Sequence, residues 1–304
     1  MATPATTKGV SLEIEPRRAG PPRVQALLRL QFSRNAQTGE TFLSESYQEP
    51  PLKVIRAFSS PDGAALAHLH NISGGLLGGD HLTQEINLEC RALVQLTTTG
   101  ATRIYRPRNN DLQTTQRNEI SVGEGALLEY VPDSTIPFAG ARYLQHTSIH
   151  LGAGAGLFWW EILAPGREAR GELFSYDELA VKTRISALGR IIATENLLLS
   201  PASAEVSSLA RMGAYRYLAT FYICRVGLDA AAWRAAEDRL REHTCNLTRP
   251  GELLWGVSTL VAHGLVVRCL ARNGWKVLPG LHAIWRSAKR HLYDQEAIPP
   301  RKMN

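Results

Sequence analysis

Cysteine is scarce and scattered: Cys90, Cys224, Cys245 and Cys269 are the only four in 304 residues. They form no C-x-x-C pair, which excludes a zinc knuckle and a dithiol redox motif and leaves reduced, mostly buried thiols as the expectation. No apolar run approaches the ~18 residues of a membrane span. The first twenty positions hold Lys8, Glu13, Glu15, Arg17 and Arg18 where a secretory signal would place an apolar core. A cytoplasmic address is therefore expected. Also lacking are a G-x-S-x-G elbow, an H-E-x-x-H pair and any Ser/His/Asp grouping in motif context, so catalysis has no anchor in the sequence. Long biased tracts are missing as well. With 44% hydrophobic and 20% charged residues, 25 Gly and 16 Pro, the composition excludes collagen-like, coiled-coil and wholly disordered chains.

The net charge of +6 invites a nucleic-acid reading, but the distribution opposes it. The densest basic groups are Arg17-Arg18, the segment 103–108, and Arg286, Lys289, Arg290, Arg301 and Lys302 near the C-terminus. None has the interleaved aromatics of a single-strand platform. A solvated basic face or an acidic protein partner fits better.

Residues 1–22 lack periodicity and end in Pro21-Pro22, which reads as a flexible leader. From there to the C-terminus no second composition regime and no linker interrupts the chain, so 23–304 is read as a single domain. Val24, Ala26, Leu28, Leu30 and Phe32 alternate with polar residues, the period of a half-buried strand. Similar runs recur at 52–58, 85–91, 93–98, 116–122, 127–131, 147–151, 157–163, 179–185 and 191–197. Turn chemistry separates them, including Gly74-Gly75, Gly78-Gly79, Gly123-Glu124-Gly125 and Gly152 to Gly156. Many short strands without intervening helices predict a mostly β fold. Helices are expected only in the last third. One follows Asp229 as N-cap and ends near His243, with Trp233, Ala236 and Leu240 on one face; the other spans 281–292, with Leu281, Ile284, Trp285, Ala288 and Leu292 as its apolar stripe. Residues 255–268 read as one strand, and 215–226 suit either a strand or a buried helix.

The glycine-rich stretch Ser73 to Leu82 resembles no phosphate loop, because Gly79 is followed by Asp80 and His81 where a Lys-Ser/Thr pair and a helix would be needed. Paired glycines that permit tight corners are the simpler account, with Asp80 closing a turn. His68 and His70 lie two apart, on one face of a strand, and His81 follows the loop. No fixed-spacing metal motif includes them. Carboxylates recur on or beside strands at Glu85, Glu89, Glu129, Asp133, Glu161 and Glu172, and paired acids serve acid–base chemistry where a fold brings two together. Trp159-Trp160 reads as a packing anchor.

The ordered segments TGETFL (38–43), PLKVIRAF (51–58), SGGLLGGDHL (73–82), QLTTTGATRIYR (95–106), ALLEYVPDSTIPFAGAR (126–142), WEILAPGREARGELF (160–174) and the closing PPR (299–301) resemble the urease accessory protein D family, called H in some lineages. The resemblance implies a β-helix-like stack of short strands with a few C-terminal helices. It implies a non-catalytic scaffold that binds apo-urease and, through accessory protein F (UreF), the nickel-carrying GTPase G (UreG). No cofactor is held permanently; Ni²⁺ is cargo in transit, and no nucleic acid or membrane is engaged. Asp80, Glu129, Glu161, Glu172, His70 and His81 are then the candidates that hold nickel weakly along an interior passage, since a conduit must release what it binds. Two other classes are weighed against this: a carbohydrate-active β-helix enzyme with paired carboxylates, and a basic nucleic-acid-binding module. Neither accounts for the string of motifs.

Overall fold

A computed structural model describes residues 24–107 and 112–300. The leader expected over 1–22 lies outside the described residues. The described residues are mostly β, with two α-helices among them, α1 (Ala230–Leu247) and α2 (Val277–Tyr293), both in the last third of the chain. One sheet has seven strands and the other eleven.

The chain winds between the two sheets in parallel coils. His81–Leu88 lies in the seven-stranded sheet, Leu93–Thr98 in the other, and Thr102–Ile104 in a short branch of that second sheet that forms a third side of the coil. The next coil repeats the order with Thr114–Val122, Leu127–Tyr130 and Thr135–Pro137, and a third begins with Arg142–Leu151 and Gly156–Leu163. Equivalent strands pair in parallel on all three sides. The result is the β-helix-like stack that the sequence resemblance implies. Its corners stack too: Gly123 N–H donates to the Leu88 carbonyl and Gly152 N–H to the Val122 carbonyl, each at 2.9 Å. A Cβ on Gly123 would stand 2.7 Å from the Leu88 oxygen, so only glycine lets successive corners approach this closely.

Side-chain alternation partitions the core. On Gly156–Leu163, Leu157, Trp159 and Leu163 face the cluster enclosed between the sheets, while Phe158, Trp160 and Ile162 face the helices. The two tryptophans are packing anchors on opposite faces: Trp159 stacks on Tyr130 at 4.0 Å between centroids, and Trp160 meets Trp285 of α2 edge-on at 5.8 Å. Burying such rings brings 150–250 Å² each out of water, roughly. Asp229 caps α1 by accepting the Ala232 N–H at 2.8 Å, as its sequence predicts.

Several boundaries differ from the sequence reading. Residues 255–268 are two antiparallel strands, Leu253–Thr259 and Gly264–Ala271. The turn between them uses His263 at φ +56°, with no glycine or proline before Gly264 to announce it. Residues 215–226 contain a strand, Tyr217–Arg225, not a helix. Helix α1 runs past His243 to Leu247, because Thr244 is still buried against its neighbours. The segment 52–58 is two short strands, Leu52–Lys53 and Ala57–Ser59.

Candidate functional site

Parallel register turns inward-facing positions into rungs that cross the seven-stranded sheet. Ile86, Ile120, Ile149 and Ile185 form one rung, and Leu88, Val122, Leu151 and Ala187 the next. Toward the other end of the strands the same face becomes polar. Gln84, Asn118, Thr147 and Thr183 are register partners, and Gln116 stands beside Gln145 in the adjacent rung. The opposing sheet contributes Tyr130 and Glu161 to this layer by the same alternation that sends Trp159 inward.

These side chains bond to one another in series. Gln116 Nε2 donates to Asn118 Oδ1 at 3.0 Å, and Asn118 Nδ2 donates to Thr147 Oγ1 at 3.0 Å. Gln145 Nε2 donates to the same Thr147 oxygen at 3.2 Å and to Glu161 Oε1. Tyr143 Oη lies 3.1 Å from Gln116 Oε1 and 3.0 Å from Gln145 Oε1. A satisfied polar network inside a core is retained at a cost in apolar burial, which points to a use beyond folding. At its Gln116 end it meets a cavity of ≈250 Å³ lined by Gln84, Gln116, Tyr130, His70, Asn71 and the 98–103 segment. That volume is room for about eight waters at ~30 Å³ each.

Glu161 lies at the inner end of this series. Part of its surface stays open to water, and among the described residues no cation pairs with it. Its deep position pushes the carboxyl up to about 7, against the pull of the Gln145 hydrogen bond and with a further upward push from Glu195. Nearby, Tyr222 donates to Glu195, whose other oxygen is 3.5 Å from Arg268. Burial pushes the hydroxyls of Tyr130, Tyr143 and Tyr222 up, so they stay protonated as donors.

The other sequence candidates are held elsewhere. Glu129 faces the helices, with its Oε1 2.7 Å from Lys289 Nζ of α2, and Lys289 is 3.5 Å from Asp62. Gln95 Nε2 joins Glu129 Oε2 at 3.1 Å and the Ile298 carbonyl at 2.8 Å, tying down the C-terminal segment. Burial raises the Glu129 carboxyl, opposed by Lys289. Asp80 closes the turn at the glycine pair: its Oδ2 accepts the Leu77 N–H at 2.8 Å. There a Cβ on Gly78 would stand 2.1 Å from Pro107, so the glycine serves close packing. Glu172 accepts from Arg167 Nε at 2.7 Å and from the Ala139 N–H at 3.2 Å, and the guanidinium holds its carboxyl below the ordinary range. His81 faces outward with Nδ1 2.6 Å from Thr115 Oγ1. His70 lines the cavity, and burial, then the neighbouring His68, hold its imidazole below the ordinary range. No three of these six converge, and among the described residues no group of three or more His, Cys, Asp or Glu side chains is placed to hold a metal ion. The donors present along the interior are amide, hydroxyl and carboxylate oxygens, with His70 among the residues that line the cavity, a set whose chemistry suits loose contact with a divalent ion.

The sequence reading missed Gln84, Gln116, Asn118, Tyr143, Gln145, Glu195 and Tyr222. A signal for some of them exists: Gln116 and Asn118 precede Ile120 and Val122 at the same inward parity, as Gln145 and Thr147 precede Ile149 and Leu151.

A sequence profile of the UreD urease accessory protein family matches residues 24–304. The chain is 46% identical over 281 residues to the urease accessory protein UreD of Herpetosiphon aurantiacus, covering 92% of this chain and 97% of that protein. It is 33% identical over 285 residues to the UreD of Corynebacterium glutamicum (90% and 96%) and 32% identical over 241 residues to that of Cenarchaeum symbiosum (78% and 83%). No helix among the described residues is long and apolar enough to cross a membrane.

Proposed function

The chain belongs to the UreD family of urease accessory proteins, and on that premise we propose that it is a non-catalytic cytoplasmic scaffold that passes Ni²⁺ through its interior to apo-urease. The single observation that carries the passage is the unbroken polar series from the cavity at His70 and Gln116 to Glu161. A core of this size has no need of amides and a carboxyl where isoleucine rungs stand a few residues away; the polar layer offers a hydrated ion successive weak oxygen donors. Neutral amides and hydroxyls exchange with water readily, and one carboxyl supplies charge without a second ligand to trap the ion. In this reading Glu161 and His70 contact the cargo. Asp80, Glu129 and Glu172 shape the passage by holding the turn, the helix and the loop around it. Urease binds the scaffold directly, and the nickel-carrying GTPase G reaches it through accessory protein F, all on residues 23–304 acting as one domain.

The test is co-expression with the host's urease and the F and G proteins. Blocking the series with Gln116→Leu and Asn118→Leu together should leave the complex assembled while nickel per urease active site falls severalfold. Nickel loading equal to wild type at equal complex yield would remove the passage reading. Deleting the protein should leave urease made but without nickel.

A further inference from the structure

On the outward face of the seven-stranded sheet the register builds a second set of rungs. Arg117, His146 and Lys182 are partners on three adjacent strands, and Arg184 occupies the next rung between Ser148 and Thr194. With strands about 4.8 Å apart, the first three span about 10 Å. Arg117, His146 and Arg184 are exposed and Lys182 is half-buried. Arg117 pairs with Glu119 at 2.6 Å, whereas among the described residues Lys182 and Arg184 form no ion pair. Their register neighbours Ser148, Thr194 and Asn196 are uncharged, and Glu119 lies beyond Ser148 in the rung of Arg184. Burial, followed by the charges of Lys182 and Arg117, holds the His146 imidazole below its ordinary range, against an upward push from Glu119. On α2, Lys289 is instead buried against Glu129 and Arg290 pairs with Glu296, while Arg286 stays exposed.

We propose that this face, centred on Lys182 and Arg184, docks a carboxylate-rich protein surface of the urease-maturation assembly. The choice of partner within that assembly rests on the function proposed above; the chemistry of the face does not. A protein is favoured over nucleic acid because the rungs present no Phe, Tyr or Trp for stacking. Arg117, Lys182 and Arg184, the first of them already paired with Glu119, also neutralise too few phosphates to hold a strand at physiological salt. A flat sheet with two uncompensated charges suits a surface bearing two or three carboxylates, with steering that weakens as salt rises.

The experiment measures binding of the full chain to immobilised host apo-urease, and separately to poly-L-glutamate and a 20-base-pair DNA duplex, at low and at physiological salt. Lys182→Glu with Arg184→Glu should weaken apo-urease and poly-L-glutamate binding at least tenfold. Reversal of two exposed helix cations, Arg234→Glu with Arg239→Glu, should change them less than twofold. Lys182→Gln with Arg184→Gln, the milder pair, should fall between and retain the wild-type melting temperature, which separates lost docking from lost folding. Equal losses from the sheet and helix variants, or no loss from the sheet variants, would overturn the proposal. So would tighter, Lys182-dependent binding of the duplex than of poly-L-glutamate. If wild-type chain ignores apo-urease yet binds poly-L-glutamate through Lys182 and Arg184, the docking face stands and the function proposed above fails.

Discussion

Glu129 and Glu161 sit on neighbouring parallel strands of one sheet, Leu127–Tyr130 and Gly156–Leu163, and point to opposite faces. Glu129 is 4% exposed and meets Lys289, itself 2% exposed, across a dry contact with α2. Glu161 faces the layer between the sheets, accepts from an amide, keeps some contact with water and has no cationic partner among the described residues. The partner of an acid inside a β-stack decides what the acid can do. A carboxylate matched to a buried ammonium is engaged by the fold; one matched only to neutral donors in a polar layer is, on the function proposed above, the one that meets a passing cation.

The largest effect should come from breaking the dry pair. Glu129→Ala leaves Lys289 buried with only Asp62 at 3.5 Å, and losing one partner of a buried pair costs about 3–5 kcal/mol. Urea unfolding should show that loss together with reduced soluble yield. Replacing both members, Glu129→Leu with Lys289→Met, should recover most of it, because the charges leave together.

Next comes the pH dependence of Glu161. Its folded value, about 7, lies above the ordinary 4.5, so the folded state binds the extra proton. The stability this gives is full below the ordinary value and is lost as pH rises through about 7. Glu161→Gln should flatten that part of the stability–pH curve and leave the variant more stable than wild type above it, by at most about 3 kcal/mol and less in proportion to water access. A wild-type curve that rises with pH over this interval, or a variant with the same slope, would contradict the assignment.

Smaller still is Asp80→Ala, which orphans the Leu77 N–H at the turn and should cost about 1–2 kcal/mol in unfolding. Smallest is the outward face: Lys182→Gln and Arg184→Gln should change stability by no more than about 0.5 kcal/mol, as surface changes without partners do. A melting shift as large as that of Asp80→Ala would mean that these cations stabilise the fold.

The comparison also shows which parts of the molecule sequence makes legible. Alternation from Val24 to Phe32 reports a strand because both faces of that strand are local facts, and Asp229 before Trp233, Ala236 and Leu240 reports a capped amphipathic helix for the same reason. The strand Thr41–Gln48 escapes because it is an edge with mostly exposed residues and so carries little apolar period. Thr102–Ile104 and Thr135–Pro137 are too short to show one. Glu161 stands out in the sequence as an acid in an apolar run, but so does Glu129 after Leu127 and Leu128. Only cross-strand register and the position of Lys289, far along the chain, separate their surroundings. The polar rungs are hidden for the same reason, since Gln84, Asn118 and Thr147 become neighbours only when three coils align.

The most direct test is the nickel content of urease matured with Glu161→Gln, measured per active site and at matched yield of the scaffold–urease complex. Glutamine keeps the size of the side chain and one oxygen that can accept from Gln145, while it removes the charge and puts an NH2 donor in place of the other oxygen. The account predicts normal assembly with nickel and urease activity reduced together. Full nickel loading at normal assembly would contradict it, and would place Glu161 with Glu129 among the residues that serve the fold alone.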